Sequence, residues 1–207
     1  MSRILVRLAL FLLFVSNGVM LAACASPPPK PALQSEDPSL LIWPRAEQAI
    51  RLRLSTDRDL NSYGSKAHSI QLCVYQLDQA EAFLKLAKTQ EGITTLLQAE
   101  AFDKSVKDVV RLFLQPLEES AVALDRAENA TFVGIVSGYF DSTPENSANV
   151  WEIKPQSSRS GVFFKTTIYS AGTLDLALRL TARAMVEDSG QDPGKGGGKD
   201  EGKRRKP

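Results

Sequence analysis

The segment Phe132-Val133-Gly134-Ile135-Val136-Ser137-Gly138-Tyr139 is the starting point for predicting the fold. Apolar residues occupy both of its alternating sets of positions, which is typical of a strand that is covered on both faces. Its two glycines leave room for the close approach of neighbouring elements. We therefore predict that a strand over residues 131–140 lies at the centre of a sheet, and that the rest of the domain packs around it.

Further segments with the spacing of strands lie on both sides of this one. The strands predicted from these patterns are residues 49–54, 69–77, 109–114, 121–124, 150–153, 161–169 and 174–180. The last of them also fits a helical period through Leu174 and Leu178, and we take strand as the first interpretation. About eight short strands separated by turns indicate a β-sandwich.

A different periodicity interrupts these strands after residue 79. Ala80, Phe83, Leu84 and Ala87 recur at helical spacing, and a second apolar set follows Gly92. Neither stretch is long enough for a helix that is stable alone, so both helices should lie on the sheet. The predicted fold is therefore mainly all-β, a sandwich of about eight strands with a short helical insertion at about 79–98.

A long polar connection joins the first two predicted strands. Residues 55–68 are rich in Asp, Asn, Ser and Gly, which indicates a loop. A loop of this length is uncommon and is usually either functional or disordered. Leu60 and Tyr63 are its only bulky apolar residues, and they are candidate contact residues.

The N-terminus has the order of a secretory signal peptide: Arg3 and Arg7, then an apolar run, then small residues. The apolar run is too short for a transmembrane helix, which needs about 20 residues. The sequence Leu21-Ala22-Ala23-Cys24 resembles the bacterial lipoprotein box, although an ordinary signal peptide with an incidental cysteine is the alternative. This resemblance implies that Cys24 is acylated and becomes the first mature residue. Ala25 after the cysteine implies sorting to the outer membrane.

These patterns divide the chain into four parts. We predict a signal peptide over 1–23, a lipidated proline-rich tether over 24–47, the sandwich domain over 48–182 and a disordered Gly/Lys-rich tail over 183–207. Trp43 lies near the end of the tether. We expect it to dock on the domain rather than to lie at the membrane interface.

Composition and the rare residue types argue against several functions. With 25 basic and 24 acidic residues the net charge is +1, so no bulk field attracts nucleic acid. Cys73 has no intramolecular partner if Cys24 is acylated, which predicts a buried free thiol. His68 is the only histidine, and a loop is a poor place for a precisely held base. We expect no enzyme, no metal and no cofactor besides the covalent lipid on Cys24.

The order of these segments resembles the TssJ (SciN) outer-membrane lipoproteins of the bacterial type VI secretion system. The matching pieces, in chain order, are residues 70–77, Ala82-Phe83, Leu114-Gln115-Pro116, Leu124-Asp125, the segment 132–139 and Trp151. The chain departs from the family where Leu117 replaces a frequent glycine and where Phe140 replaces a frequent basic residue. The tail beyond Asp188 has no counterpart.

The resemblance implies a transthyretin-like sandwich and a role as an adaptor. In that family the lipoprotein binds the periplasmic C-terminal part of the inner-membrane protein TssM, which ties the trans-envelope complex to the outer membrane. The loop between the first two strands is a partner contact in the family. In this chain the corresponding candidates are Asp59, Leu60, Asn61, Ser62, Tyr63 and Gly64.

Two other functions remain open from the sequence. Apolar strands and covering helices are also compatible with a lipoprotein that binds a small apolar ligand or lipid in a cavity of the sandwich. A periplasmic hydrolase would have to use His68 as its base.

Overall fold

The structure, a computed structural model, describes residues 31–161 and 165–188. Its strands are β1 Gln34–Ser35, β2 Ala46–Thr56, β3 Ile70–Leu77, β4 Val106–Leu114, β5 Glu119–Arg126, β6 Phe132–Ser137, β7 Ala148–Glu152, β8 Gln156–Ser160, β9 Thr166–Ser170, β10 Leu174–Leu180 and β11 Met185–Glu187. Its helices are α1 Glu81–Leu86, α2 Gln90–Leu96 and α3 Pro144–Ser147, and a short 3-10 helix spans Pro38–Leu40.

These strands form two four-stranded sheets and a small three-stranded one. The first sheet has the order β11-β10-β2-β5, in which β2 is antiparallel to β5 and parallel to β10. The second has the order β4-β3-β6-β7 with antiparallel pairs throughout. The third has the order β1-β9-β8.

The core lies between the two four-stranded sheets. Alternate residues of β2 and β10 are buried and meet alternate residues of β3 and β6 across this space. The buried side chains of this cluster include Ile50, Leu52, Leu54, Ile70, Leu72, Val74, Val133, Ile135, Leu176, Leu178 and Leu180. The alternation in the sequence therefore reflects one face in this core and one face outside it.

The second sheet is covered on its other face as well. α1 and α2 bring Phe83, Ile93 and Leu96 onto Cys73 and Tyr75 of β3, and all five side chains are buried. The Tyr75 hydroxyl donates a hydrogen bond of 2.6 Å to the Leu96 carbonyl. This double cover explains why seven of the eight residues of β3 are buried, and it confirms that the helices lie on the sheet.

Gly134 shows why the central strand contains a glycine. A Cβ atom at this position would lie 2.8–2.9 Å from three ring atoms of Phe83, closer than real Cβ contacts allow. The ring of Phe83 therefore packs directly on the backbone of β6, which is the close approach that the glycine predicted.

The mainly β fold and the sandwich are confirmed, but several strand bounds differ from the predictions. The structure has eleven strands instead of about eight. The predicted central strand ends at Ser137, and Tyr139 and Phe140 belong to the connection that follows. The predicted strand 161–169 is wrong in its first part, because Gly161 has a φ of 109° and follows β8 instead of beginning a strand. Residues 162–164 lie outside the described residues.

The ordered elements also extend beyond the predicted domain bounds of 48–182. β1 and the 3-10 helix lie within the predicted tether, and β11 lies within the predicted tail. The predicted signal peptide, Cys24 and the tail after Asp188 fall outside the described residues. Within the described part of the chain, no helix is both long enough and apolar enough to cross a membrane.

The described chain enters at one end of the sandwich, which we call the entry end. Here Arg126, at the end of β5, is buried and donates hydrogen bonds to the carbonyls of Pro44 (2.8 Å) and Gly172. Its guanidinium lies 5.0 Å from the ring centroid of Trp43, which packs against the core. Burial lowers the pKa of Arg126 below its ordinary value. Trp43 thus docks on the domain, as expected from the sequence.

A candidate partner-binding end of the sandwich

The opposite end, which we call the loop end, gathers four connections. They are residues 57–69 between β2 and β3, 115–118 between β4 and β5, 138–147 between β6 and β7, and 181–184 between β10 and β11. Strand directions bring them together, because β10 runs parallel to β2 while β3 and β5 run back from the ends of β2 and β4. The long loop predicted from the sequence is therefore part of a larger surface.

The connection 57–69 is held by the backbone of its neighbours. The N–H groups of Asn61 and Ser62 donate to the carbonyls of Thr181 (3.3 Å) and Ala182 (3.0 Å). Within the loop, the N–H of His68 donates to the carbonyl of Leu60 at 3.0 Å. Leu60 itself is fully buried in the core. These contacts give the loop a defined path.

Asn61 joins this loop to the connection 138–147. Its side chain is only 3% exposed; its Nδ2 donates to the Ser69 carbonyl at 3.0 Å, and its Oδ1 accepts from the N–H of Phe140 at 2.8 Å. Its φ is 46°, in the left-handed region that asparagine tolerates better than most residues. One amide thus positions the two segments relative to each other.

The tip of the loop is a tight turn that presents Tyr63. Tyr63 and Lys66 exchange backbone hydrogen bonds of 3.0 and 3.1 Å. The two residues between them, Gly64 and Ser65, have φ values of 56° and 63°, as the central residues of a type I′ turn require. This turn leaves the side chain of Tyr63 66% exposed.

Phe140 contacts two other rings, those of Tyr63 and His68, and the three form an aromatic cluster. The rings of Tyr63 and Phe140 are stacked, with centroids 5.2 Å apart and an interplanar angle of 25°. His68 meets Phe140 edge-on at 5.0 Å. Phe140 is 58% exposed, so two large aromatic side chains are packed together yet remain largely in solvent. Exposed apolar clusters of this kind mark interaction sites in soluble domains.

The predicted contact residues separate into two groups. Asp59, Tyr63 and Gly64 are exposed and Ser62 is half-buried, whereas Leu60 and Asn61 are buried. Leu60 was a candidate because it is apolar within a polar loop, but its side chain fills the core and is not available at the surface. Phe140 was missed as a surface residue because it continues the apolar run of β6. Its signal was the unusual aromatic residue after Tyr139.

His68 and Cys73 are the candidate reactive groups that the sequence singled out among the described residues. The imidazole of His68 takes part in none of the hydrogen bonds formed by the described residues. Those residues also include no group of three or more His, Cys, Asp or Glu side chains that could hold a metal ion. Cys73 is a buried free thiol, as predicted, and burial raises its pKa.

Three depressions lie on the surface of the described part of the domain. Two of them, of about 440 and 320 Å³, lie on the outer face of the first sheet among Arg53, Ala121 and other residues of β2, β5 and β10. The third, of about 430 Å³, lies at the entry end among Trp43, Ile153 and Tyr169. The buried side chains of the core occupy the space between the two large sheets.

A family profile described as Type VI secretion lipoprotein, VasD, EvfM, TssJ (T6SS-SciN) matches residues 48–183. The chain belongs to the T6SS-SciN family. The matched residues of this T6SS-SciN protein include all of the loop end except residue 184. The match confirms the resemblance noted in the sequence. The family description names a secretion lipoprotein and no catalytic activity.

This T6SS-SciN protein is similar in structure to solved proteins of type VI secretion systems. The Serratia marcescens Lip, titled a membrane bound component of the type VI secretion system, has 15% identity and a TM-score of 0.50 over 67% of this chain and 95% of that one. The T6SS lipoprotein TssJ1 from Pseudomonas aeruginosa has 20% identity and a TM-score of 0.49 over 70% and 95%. No curated protein matches the T6SS-SciN chain.

Proposed function

We propose that this T6SS-SciN protein is an adaptor of the type VI secretion membrane complex. A lipid on Cys24 anchors it to the outer membrane on the periplasmic side, and its loop end binds the periplasmic C-terminal part of TssM. The observation that carries the proposal is the exposed Tyr63–Phe140 pair, held in place at the end of the domain opposite the chain entry.

The length of chain between the proposed anchor and the domain supports this arrangement. The first described residue is Pro31, and Ala32 bridges Leu41 at the entry end. Residues 24–30 can span at most about 25 Å when fully extended. An anchor on Cys24 therefore keeps the domain near the membrane, on the periplasmic side, where a partner rooted in the inner membrane is accessible.

The physical character of the loop end supports a protein as the ligand. Tyrosine is enriched among the residues that dominate binding energy, because it contributes a large area with few rotatable bonds. Asn61 and the Tyr63–Lys66 turn hold the aromatic pair before a partner arrives, which reduces the ordering cost of binding. We expect each ring of the pair to contribute about 2 kcal/mol or more to the free energy of binding.

Binding can be tested with the purified domain and the purified periplasmic C-terminal part of the matching TssM. We expect Tyr63→Ala and Phe140→Ala to weaken the measured affinity by about thirtyfold or more each. Leu84→Ala is the matched control, because Leu84 is an exposed apolar residue (44%) on α1, away from the loop end. If the wild-type domain shows no affinity for TssM, the proposed function is wrong.

The anchor needs a separate experiment in cells. Cys24→Ser removes the acylation site, and since each buried methylene contributes about 0.8 kcal/mol to membrane binding, the variant should move to the soluble periplasmic fraction. The purified variant domain should bind TssM as the wild type does. A Cys24→Ser protein that stays in the outer-membrane fraction would contradict a lipid anchor at this residue.

A further inference from the structure

The turn between β4 and β5 holds a leucine in an unfavourable conformation. Leu117 has a φ of 60°, in the left-handed region. There the Cβ of an ordinary residue approaches the following carbonyl oxygen, which is why glycine is preferred and a bulky residue is an outlier. Leu117 is therefore under local strain that a glycine would not feel.

The surrounding hydrogen bonds keep the turn from relaxing. The buried Thr56 hydroxyl donates to the Gln115 carbonyl at 2.6 Å and accepts from the Glu118 N–H at 2.8 Å. The Glu118 carboxylate accepts from the Gln115 N–H at 2.7 Å, which closes the turn on itself. Strained residues persist where the neighbouring structure fixes them in this way, and they concentrate at functional sites.

The side chain of Leu117 gains little from the fold in return. It is 66% exposed and belongs to neither of the core clusters formed by the described residues. Its backbone, however, lies at the loop end, where its N–H approaches the carbonyl of Asp57 at 3.4 Å. A strained, solvent-exposed leucine thus lies beside the first residue of the loop that carries Tyr63.

We propose that Leu117 is a further partner-contact residue, whose side chain inserts into an apolar part of the same TssM surface that the Tyr63–Phe140 pair contacts. This inference rests on the proposed function. A leucine at this position weakens the isolated domain and strengthens the complex. Removing the leucine side chain should therefore raise the stability of the domain and lower its affinity for TssM. A residue with a purely structural role would not change stability and affinity in opposite directions.

The experiment measures stability and TssM affinity for the same variants. For Leu117→Gly we expect a thermal midpoint equal to or a few degrees above that of the wild type, because the strain is relieved, together with an affinity for TssM about five- to tenfold lower. Leu117→Asn should behave similarly, because asparagine also tolerates the left-handed region. Leu117→Met keeps an apolar side chain and should retain most of the affinity.

Gln48→Gly is the matched control for strain relief without loss of contact. Gln48 is exposed and has a φ of 48° near the start of β2, at the entry end, so its variant should bind TssM as the wild type does. This inference would be overturned, and the proposed function left intact, if Leu117→Gly kept the wild-type affinity while Tyr63→Ala bound more weakly. A wild-type domain without affinity would instead reject the proposed function itself.

Discussion

Replacing Asn61 with alanine should separate the two segments that carry the aromatic pair. The change removes the hydrogen bonds to the Ser69 carbonyl and from the Phe140 N–H. Each unpaired group costs about 1–3 kcal/mol when buried, and because Ser69 and Phe140 are exposed residues, the lower value of about 1 kcal/mol applies to each. Alanine at a φ of 46° adds about 1 kcal/mol, since it lacks the tolerance of asparagine for this region. The free energy of unfolding should therefore fall by about 3 kcal/mol.

Two further variants divide this loss into its parts. Asn61→Gly removes both hydrogen bonds but relieves the backbone, so it should lose about 2 kcal/mol of stability. Asn61→Asp keeps the acceptor for the Phe140 N–H, but it loses the donor to Ser69 and buries a carboxylate beside that carbonyl, so it should lose more stability than Asn61→Gly while keeping the bond to Phe140. Chemical denaturation gives the stabilities, and amide hydrogen exchange at Phe140 reports the bond that joins the segments. The role assigned to Asn61 would be refuted if the Phe140 amide of Asn61→Ala were as protected from exchange as in the wild type and the free energy of unfolding changed by less than about 0.5 kcal/mol.

Four other predictions follow from the same structure. Gly134→Ala should lose about 1–3 kcal/mol of unfolding free energy, because its Cβ would overlap the Phe83 ring, and Phe83→Leu should recover part of that loss in a double-mutant cycle. Burial raises the pKa of Tyr75 to about 12, so the folded state holds the phenol proton more tightly than the unfolded state does. The free energy of unfolding should therefore fall as the pH rises from about 10 to 12, and it should fall less steeply in Tyr75→Phe. An equal slope in the wild type and in Tyr75→Phe would contradict this prediction. Cys73 is buried and its pKa is raised, so a thiol reagent should modify the mature domain only after denaturant unfolds it. Rapid labelling of Cys73 in the folded domain would contradict this prediction. At the loop end, Arg179 pairs with Asp57 and Arg183 with Asp141, so opposite charges offset each other there. The rate of association with TssM should therefore change little between low and physiological salt. A steep decrease of this rate with added salt would show electrostatic steering.

The main strands were predictable because each carries a periodic pattern that burial imposes. β10 alternates throughout, and β2 alternates from Ile50 onward. The sequence of β3 was predicted from the alternate apolar residues Ile70, Leu72 and Val74, whereas β6 shows the nearly continuous apolar run of a strand covered on both faces. The short strands β1 and β11 lack enough residues to show a period. The error at 161–169 has a different cause, because the alternation from Val162 to Tyr169 gives no sign that β9 begins only at Thr166, and the polar segment 156–160 gives no sign of β8.

The order of the strands was not predictable from local patterns. β10 pairs in parallel with β2, more than a hundred residues earlier in the chain, with Leu174 opposite Ile50. Nothing in either segment specifies this partner, since both are apolar on one face and charged on the other. The choice depends on the combined packing of both sheets.

The candidate site was predictable in its location and not in its details. Polar composition and length marked the loop, but composition does not tell whether an apolar residue within it points inward, so Leu60 and Tyr63 were equivalent in the sequence. Only the structure separates them, with Leu60 in the core and Tyr63 exposed. Leucine itself gives no signal of the left-handed backbone at Leu117, and the hint in the sequence was the glycine that the family often has at this position.

The distribution of strain supports one interpretation of the loop end. Six residues other than glycine have positive φ in the described chain. Three of them lie in the connections of the loop end: Asn61, Ser65 and Leu117. Each is fixed by hydrogen bonds within the turns, so the strain is not a sign of looseness. A surface that must hold two exposed rings in a set geometry requires such fixed turns, because every residue left to order on binding would lower the affinity. The loop end is therefore a surface with fixed turns, which is what the proposed binding of a partner requires.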